Sequence, residues 1–157
     1  MIKLSVPGTL RYRDVVLRVT ASACKLARSG GKAVQDTGQE VDDEFESKVV
    51  SAVSEAFNNI AIHGYGEAAA GEVDLEFQVS EDGISISLSD HGRGYDPASV
   101  SPRAPGALPE SRMGLFIIDS FMDEVEYRRA ESPGAPNVLF LAKRLTRSAT
   151  DAAGKAR

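Results

Sequence analysis

Ile2, Leu4 and Val6 alternate with polar residues and stop at Pro7-Gly8, the two-residue period of a half-buried strand closed by a turn. From Tyr12 to Ala27 the period lengthens. Val15, Val16, Val19, Ala23, Leu26 and Ala27 recur at helical spacing until Ser29-Gly30-Gly31 halts them, which predicts an amphipathic helix. Lys32 to Glu40 is polar and reads as a loop. Asp42 then stands as the cap of a second helix with Asp43, Glu44 and Glu46 in its first turn, running to about His63. Phe45, Val49, Val53, Ala56 and Ile60 fall on one face of it, the face expected against a sheet.

Strict alternation returns at Val73, Leu75, Phe77 and Val79 and again at Ile84, Ile86 and Leu88, with Glu81-Asp82-Gly83 between the two runs, so a β-hairpin is predicted. Four prolines (Pro97, Pro102, Pro105, Pro109) break any regular element before Arg112 and predict a mobile covering loop. Met113 to Phe121 resumes a short apolar helix, and Glu124 to Tyr127 with Val138 to Lys143 form a last strand pair around Ser132-Pro133-Gly134. Helices grouped beside a mostly antiparallel sheet make an α+β protein, a two-layer sandwich with helices on one face. One domain is expected over residues 1–146, with 147–157, small and charged, as a disordered tail.

Composition narrows the function without choosing it. Of 157 residues, 42% are hydrophobic, enough for one core, and the net charge of -5 disfavours nucleic acid as a direct partner. Cys24 is the only cysteine, which rules out an intramolecular disulfide and fits a reduced thiol packed in a helix. No apolar run approaches the roughly 18 residues of a membrane span, and no secretory leader opens the chain, so a cytoplasmic protein is expected.

Three segments carry candidate chemistry. In Ser54-Glu55-Ala56-Phe57-Asn58-Asn59-Ile60-Ala61-Ile62-His63-Gly64-Tyr65, four-residue steps place Glu55, Asn59 and His63 on one helix face. An amide oxygen suits Mg²⁺ alongside phosphate oxygens, and a carboxylate beside it can accept a proton from an attacking hydroxyl. Asp90-His91-Gly92-Arg93-Gly94-Tyr95-Asp96 follows a strand. There two glycines let backbone approach a flat ligand, and Asp90 can accept a hydrogen bond from an adenine amino group. Glu110-Ser111-Arg112-Met113-Gly114-Leu115 opens a helix whose free amides, with Gly114 for room and Arg112 for charge, suit phosphate. Taken alone, the first segment fits a solvated helix face better than a site, the second fits a turn as well as a site, and the third fits a plain helix start better. His91 lacks metal-site companions, and Ser111, without a base, reads as a helix cap.

Together, in this order, the three segments resemble the N, G1 and G2 boxes of the histidine-kinase-like (GHKL) ATPases. Asn-x-x-x-His-Gly-Tyr, Asp-His-Gly-x-Gly and Phe-Met-Asp-Glu-Val are most similar to the anti-sigma-factor serine kinases. The resemblance implies the Bergerat-type ATPase fold, ATP and Mg²⁺, and transfer of the γ-phosphate to a serine of an anti-anti-sigma (STAS-type) partner, with a sigma factor as the other partner. Glu55 would be the catalytic carboxylate, Asn59 the Mg²⁺ ligand, His63 a neighbour of the nucleotide and Asp90 the reader of the adenine amino group. Gly92 and Gly94 would shape the adenine pocket, and the backbone of Arg112, Met113, Gly114 and Leu115 would wrap the phosphates. A homodimer through the first strand and helix is implied in the same way, whereas the phosphoacceptor-histidine helix pair of sensor kinases is not found in this chain.

Two departures from the family pattern stand out. Arg112 occupies the first glycine position of the third box, where it would either clamp the γ-phosphate or crowd the phosphate loop, and Ala135-Pro136-Asn137 stands where the family often has Gly-Thr, so that either Asn137 substitutes as a polar contact or the contact is missing. The alternative function is a nucleotide-binding module that sequesters a sigma factor or another regulator without useful transfer.

Overall fold

The computed structural model describes residues 1–29, 43–65, 71–94 and 110–145. Strand β1 (Ile2–Pro7) leads through a short 3-10 turn (Leu10–Tyr12) into helix α1 (Arg13–Arg28). Helix α2 (Asp43–Asn59) continues into one π-helical turn, Ile60–Tyr65. The hairpin β2 (Glu72–Ser80) and β3 (Gly83–Asp90) follows, then α3 (Glu110–Phe121), β4 (Glu124–Arg128) and β5 (Asn137–Arg144). Asp42, the proline-rich loop and the tail from 147 onward lie outside the described residues.

The five strands form one sheet in the order β1-β2-β3-β5-β4, every pairing antiparallel. Register puts Leu4, Leu75, Leu88, Leu139 and Tyr127 in one row across it, and the period of two sends that whole face toward the helices. Ser5, Asp74, Ser89, Val138 and Arg128 form the corresponding row on the other face. The predicted α+β sandwich is therefore observed.

The core lies between this sheet and α1, α2 and α3. Phe57, Phe77, Leu75, Ile86, Leu88 and Leu141 are fully buried, and each such side chain contributes about 1.5–3 kcal/mol relative to exposure. All five residues of the predicted α2 core face are buried. In α1 the buried stripe is Val16, Thr20, Ala23, Cys24 and Ala27, while Val15 and Leu26, expected inward, are 44% and 40% exposed. Eleven residues apart, these two share a flank roughly 100° off the stripe. Thr20 fits the core because its hydroxyl donates to the Val16 carbonyl at 2.8 Å, satisfying the polar atom inside the helix. Arg13 fastens α1 to α2 by donating from Nε and Nη2 to the buried Ser54 Oγ, at 3.1 and 2.7 Å, one residue before Glu55.

Two helix boundaries differ from expectation. The second helix does not run straight to His63, because its last turn closes on the i−5 rather than the i−4 carbonyl. The third starts at Glu110, so Ser111 is its second residue and not its cap, and its first turn is polar.

Candidate nucleotide site

The end of β3, the π turn and the start of β5 meet around Asp90. Asp90 is only 5% exposed and faces Asn137 across the β3–β5 pairing. Its Oδ1 accepts from the Gly92 amide at 2.8 Å and from Asn137 Nδ2 at 3.1 Å. Oδ2 makes no hydrogen bond among the described residues, which leaves one acceptor oxygen for an amino donor.

The floor beside Asp90 is backbone against backbone. A Cβ on Gly92 would stand 2.7 Å from the carbonyl atoms of Gly64, so neither chain can approach with a side chain between them. The Arg93 amide donates to the Gly64 carbonyl at 3.0 Å and holds the two together. Gly94 has φ +71°, a left-handed conformation that glycine takes without strain, and a Cβ there would stand 2.7 Å from Asn137 Oδ1 and 3.1 Å from Tyr127 Oη. Gly64, Gly92 and Gly94 together form a backbone ledge beside Asp90.

Tyr65 ties the ledge to the sheet. Its hydroxyl donates to the Glu72 carbonyl at 2.7 Å and accepts from the His91 amide at 3.0 Å, while its ring lies over Gly8 and Gly71, where any Cβ would collide with it. Burial, joined by the carboxylates of Asp90, Asp74 and Glu72, raises the phenol above its ordinary value of 10.0, against the opposing pull of the His91 amide. Tyr65 therefore remains a donor. Sequence reading placed it in the motif without a role. Its signal is the pair of glycines, Gly8 and Gly71, that leave room for the ring.

Glu55 and Asn59 are half-buried, one turn apart on α2, and neither side chain is hydrogen-bonded among the described residues. Glu55 reaches α3: a Cβ on Gly114 would lie 2.7 Å from Glu55 Oε2. The structure thus brings the first and third segments into contact through the carboxylate itself. His63 is exposed on the π turn, where the four-residue step from Asn59 no longer applies. Arg112, Met113, Gly114 and Leu115 all lie within α3, so the amides of Gly114 and Leu115 belong to the helix ladder, and the free donors of the first turn fall at Glu110, Ser111 and Arg112. Met113 is exposed and Gly114 buried. Tyr95 and Asp96, the end of the second segment, lie outside the described residues.

Asn137 is 2% exposed and its amide is occupied by protein groups: Nδ2 donates to Asp90 Oδ1 and to the Gly92 carbonyl at 3.2 Å, and Oδ1 accepts from the Ala130 amide at 3.0 Å. The direct nucleotide contact expected of it would have to compete with these bonds.

From Glu55 to Gly64 the helix advances roughly 13 Å, and Gly64 abuts Asp90. Glu55, Asn59 and Gly64 thus follow one another along a single helical run that ends against Asp90 at the end of β3. The sequence pattern of the family described as Histidine kinase-like ATPase domain matches residues 17–143. The chain belongs to the histidine kinase-like ATPase family. It is similar to the serine-protein kinase RsbW of Staphylococcus epidermidis, 30% identical over 156 residues, covering 94% of this chain and 91% of that protein. The serine-protein kinase RsbW of Bacillus velezensis is 29% identical over 133 residues, 80% of this chain and 76% of its own length. Among solved structures, the histidine kinase domain of the Erythrobacter litoralis EL346 blue-light activated histidine kinase superposes with a TM-score of 0.51 at 20% identity. It covers 89% of this chain, which spans 62% of that one, and the likeness is one of fold.

The donor set fits the family's nucleotide. Asp90 Oδ2 and the glycine ledge suit an aminopurine, and Asn59 offers an amide oxygen that accepts no hydrogen bond among the described residues. Among the described residues no three His, Cys, Asp or Glu side chains gather as metal ligands, so a cation here would draw on Asn59, phosphate oxygens and water. No helix among the described residues is long and apolar enough to cross a membrane.

Proposed function

We propose that this chain is an ATP-dependent serine kinase and anti-sigma factor of a cytoplasmic partner switch, transferring the γ-phosphate to a serine of an anti-anti-sigma (STAS-type) partner and otherwise holding a sigma factor. The observation that carries this reading is the run from Glu55 through Asn59 to Gly64, which sets a proton acceptor roughly 13 Å along the helix from the backbone that abuts the base reader Asp90. The names of the RsbW relatives supply the serine acceptor.

Asp90 Oδ2 accepts from the adenine amino group while Gly92 and Gly94 admit the ring edge-on. Asn59 would hold Mg²⁺ through its amide oxygen, and the ion would supply charge neutralisation at the phosphates. The first-turn amides of α3 add donors for the phosphates. Glu55 takes the proton of the partner's serine hydroxyl as its oxygen bonds to the γ-phosphorus and the bond to the bridging oxygen breaks, releasing ADP. Gly114 keeps space for the Glu55 carboxylate.

The test is Glu55→Gln with labelled ATP and the candidate partner domains. ATP binding should persist while label on the partner serine is lost. Transfer at the wild-type rate would remove Glu55 from the mechanism. Tight partner binding by the wild-type protein with no label would instead identify a sequestering module, the reading favoured by the enclosure of the Gly114 and Leu115 amides in α3.

A further inference from the structure

We infer that Asn137 is a positioning residue that sets base specificity through Asp90. The inference rests on the proposed role of Asp90 as the reader of the adenine amino group. Left alone, a carboxylate at a strand end can rotate about its last bond and present either oxygen, or both, to a ligand. Here it has no such freedom. The Gly92 amide and Asn137 Nδ2 both donate to Oδ1, which leaves Oδ2 as the acceptor with no hydrogen bond among the described residues.

Asn137 is itself immobilised. Its second Nδ2 hydrogen goes to the Gly92 carbonyl and its Oδ1 is held by the Ala130 amide, so its orientation is fixed by groups of opposite character and a flipped amide would set acceptor against acceptor. The β3–β5 register places it directly beside Asp90, and a 2% exposed position keeps water from replacing these bonds. The β4–β5 connection, through Ala130, therefore fixes which oxygen meets the base. A 6-amino purine matches this acceptor, and a purine without that group does not.

The experiment compares ATP with purine riboside triphosphate, which lacks only the 6-amino group, by equilibrium binding to the full chain. Wild type should prefer ATP by about tenfold, the worth of one hydrogen bond to a charged acceptor. Asn137→Asp keeps the shape and an acceptor for Ala130 but faces Asp90 Oδ1 with an oxygen. ATP affinity should fall toward that of the analogue, whose own affinity should hardly move. Asn137→Ser, which cannot span to both Asp90 and Ala130, gives the same readout should the aspartate variant not fold. If either folded variant weakens both nucleotides equally and keeps the preference, Asn137 supports the fold only and the inference is wrong. If wild type shows no preference, the base-reading role of Asp90 is what fails.

Discussion

Replacing Gly114 with alanine separates stability from chemistry in one substitution. Gly114 lies inside α3 with no left-handed φ, so alanine favours the helix by about 0.5–1 kcal/mol. The added methyl would meet Glu55 Oε2 at 2.7 Å but the Glu55 Cβ and Cδ only at 3.6 Å, so the far end of one flexible side chain must move and nothing else. Thermal unfolding should therefore be unchanged or higher by about 2–4 °C. The displaced carboxylate, however, leaves the hydrogen-bond reach a general base requires, and a misplacement of about 1 Å costs on the order of 100-fold in rate. Calorimetry, ATP binding and single-turnover transfer to the partner serine would be measured together. The expected result is a folded, ATP-binding protein with transfer reduced about 100-fold. A variant that transfers at the wild-type rate would refute the placement of Glu55 at the reacting centre, since its carboxylate cannot remain where it is beside a methyl.

Three further outcomes follow from contacts elsewhere. Gly92→Ala would push a methyl into the Gly64 backbone, where nothing flexible can yield, and should cost about 1–3 kcal/mol of stability by denaturant unfolding together with ATP affinity. Tyr65→Phe removes a hydroxyl that both donates to Glu72 and accepts from His91, and should lower stability by about 1–3 kcal/mol, with increased amide exchange at His91. Asp123, whose carboxylate accepts from the Arg144 amide and from Lys143, is held below its ordinary value of 3.8. Its folded value being the depressed one, the stabilisation is present above the unfolded value and is lost as pH falls through the folded one. Asp123→Asn should therefore lower stability above about pH 4, where the ionised carboxylate contributes, and flatten the acid limb below it, as followed by unfolding across pH.

The strands were legible because each keeps its period of two without interruption. Val73 to Val79 and Ile84 to Leu88 face their apolar side chains inward in the observed register, which the two-residue turn Glu81-Asp82 fixes. The α2 core face was legible for the same reason at the helical period. Val15 and Leu26 misled because apolar residues on the flank of a stripe satisfy helical spacing as well as those on it. The start of α3 was hidden because its first turn, Glu110-Ser111-Arg112, has no apolar residue to mark a period. The π turn was equally invisible: its residues fit a continued α-helix in every local preference, and the widening is fixed by Gly64 lying against Gly92 and by Tyr65 over Gly8 and Gly71. Glu55, Asn59 and Asp90 enter the candidate site through the resemblance of three segments taken together, whereas the bond from Asn137 to Asp90 spans 47 positions and exists only in the β3–β5 register.

The π turn also changes what counts as a conservative alteration in this stretch. Ile62 is 50% exposed, and its side chain can be exchanged for many others at little cost. Its presence cannot. Removing one residue between Ile60 and Tyr65 would restore an ordinary α-helical turn and rotate everything after it by about 100°, carrying the tyrosine off its two glycines and Gly64 off the ledge. Related chains should therefore vary freely in the identity of this residue and hardly at all in the length of the segment, and a one-residue deletion here should abolish nucleotide binding in a way that no substitution of Ile62 does.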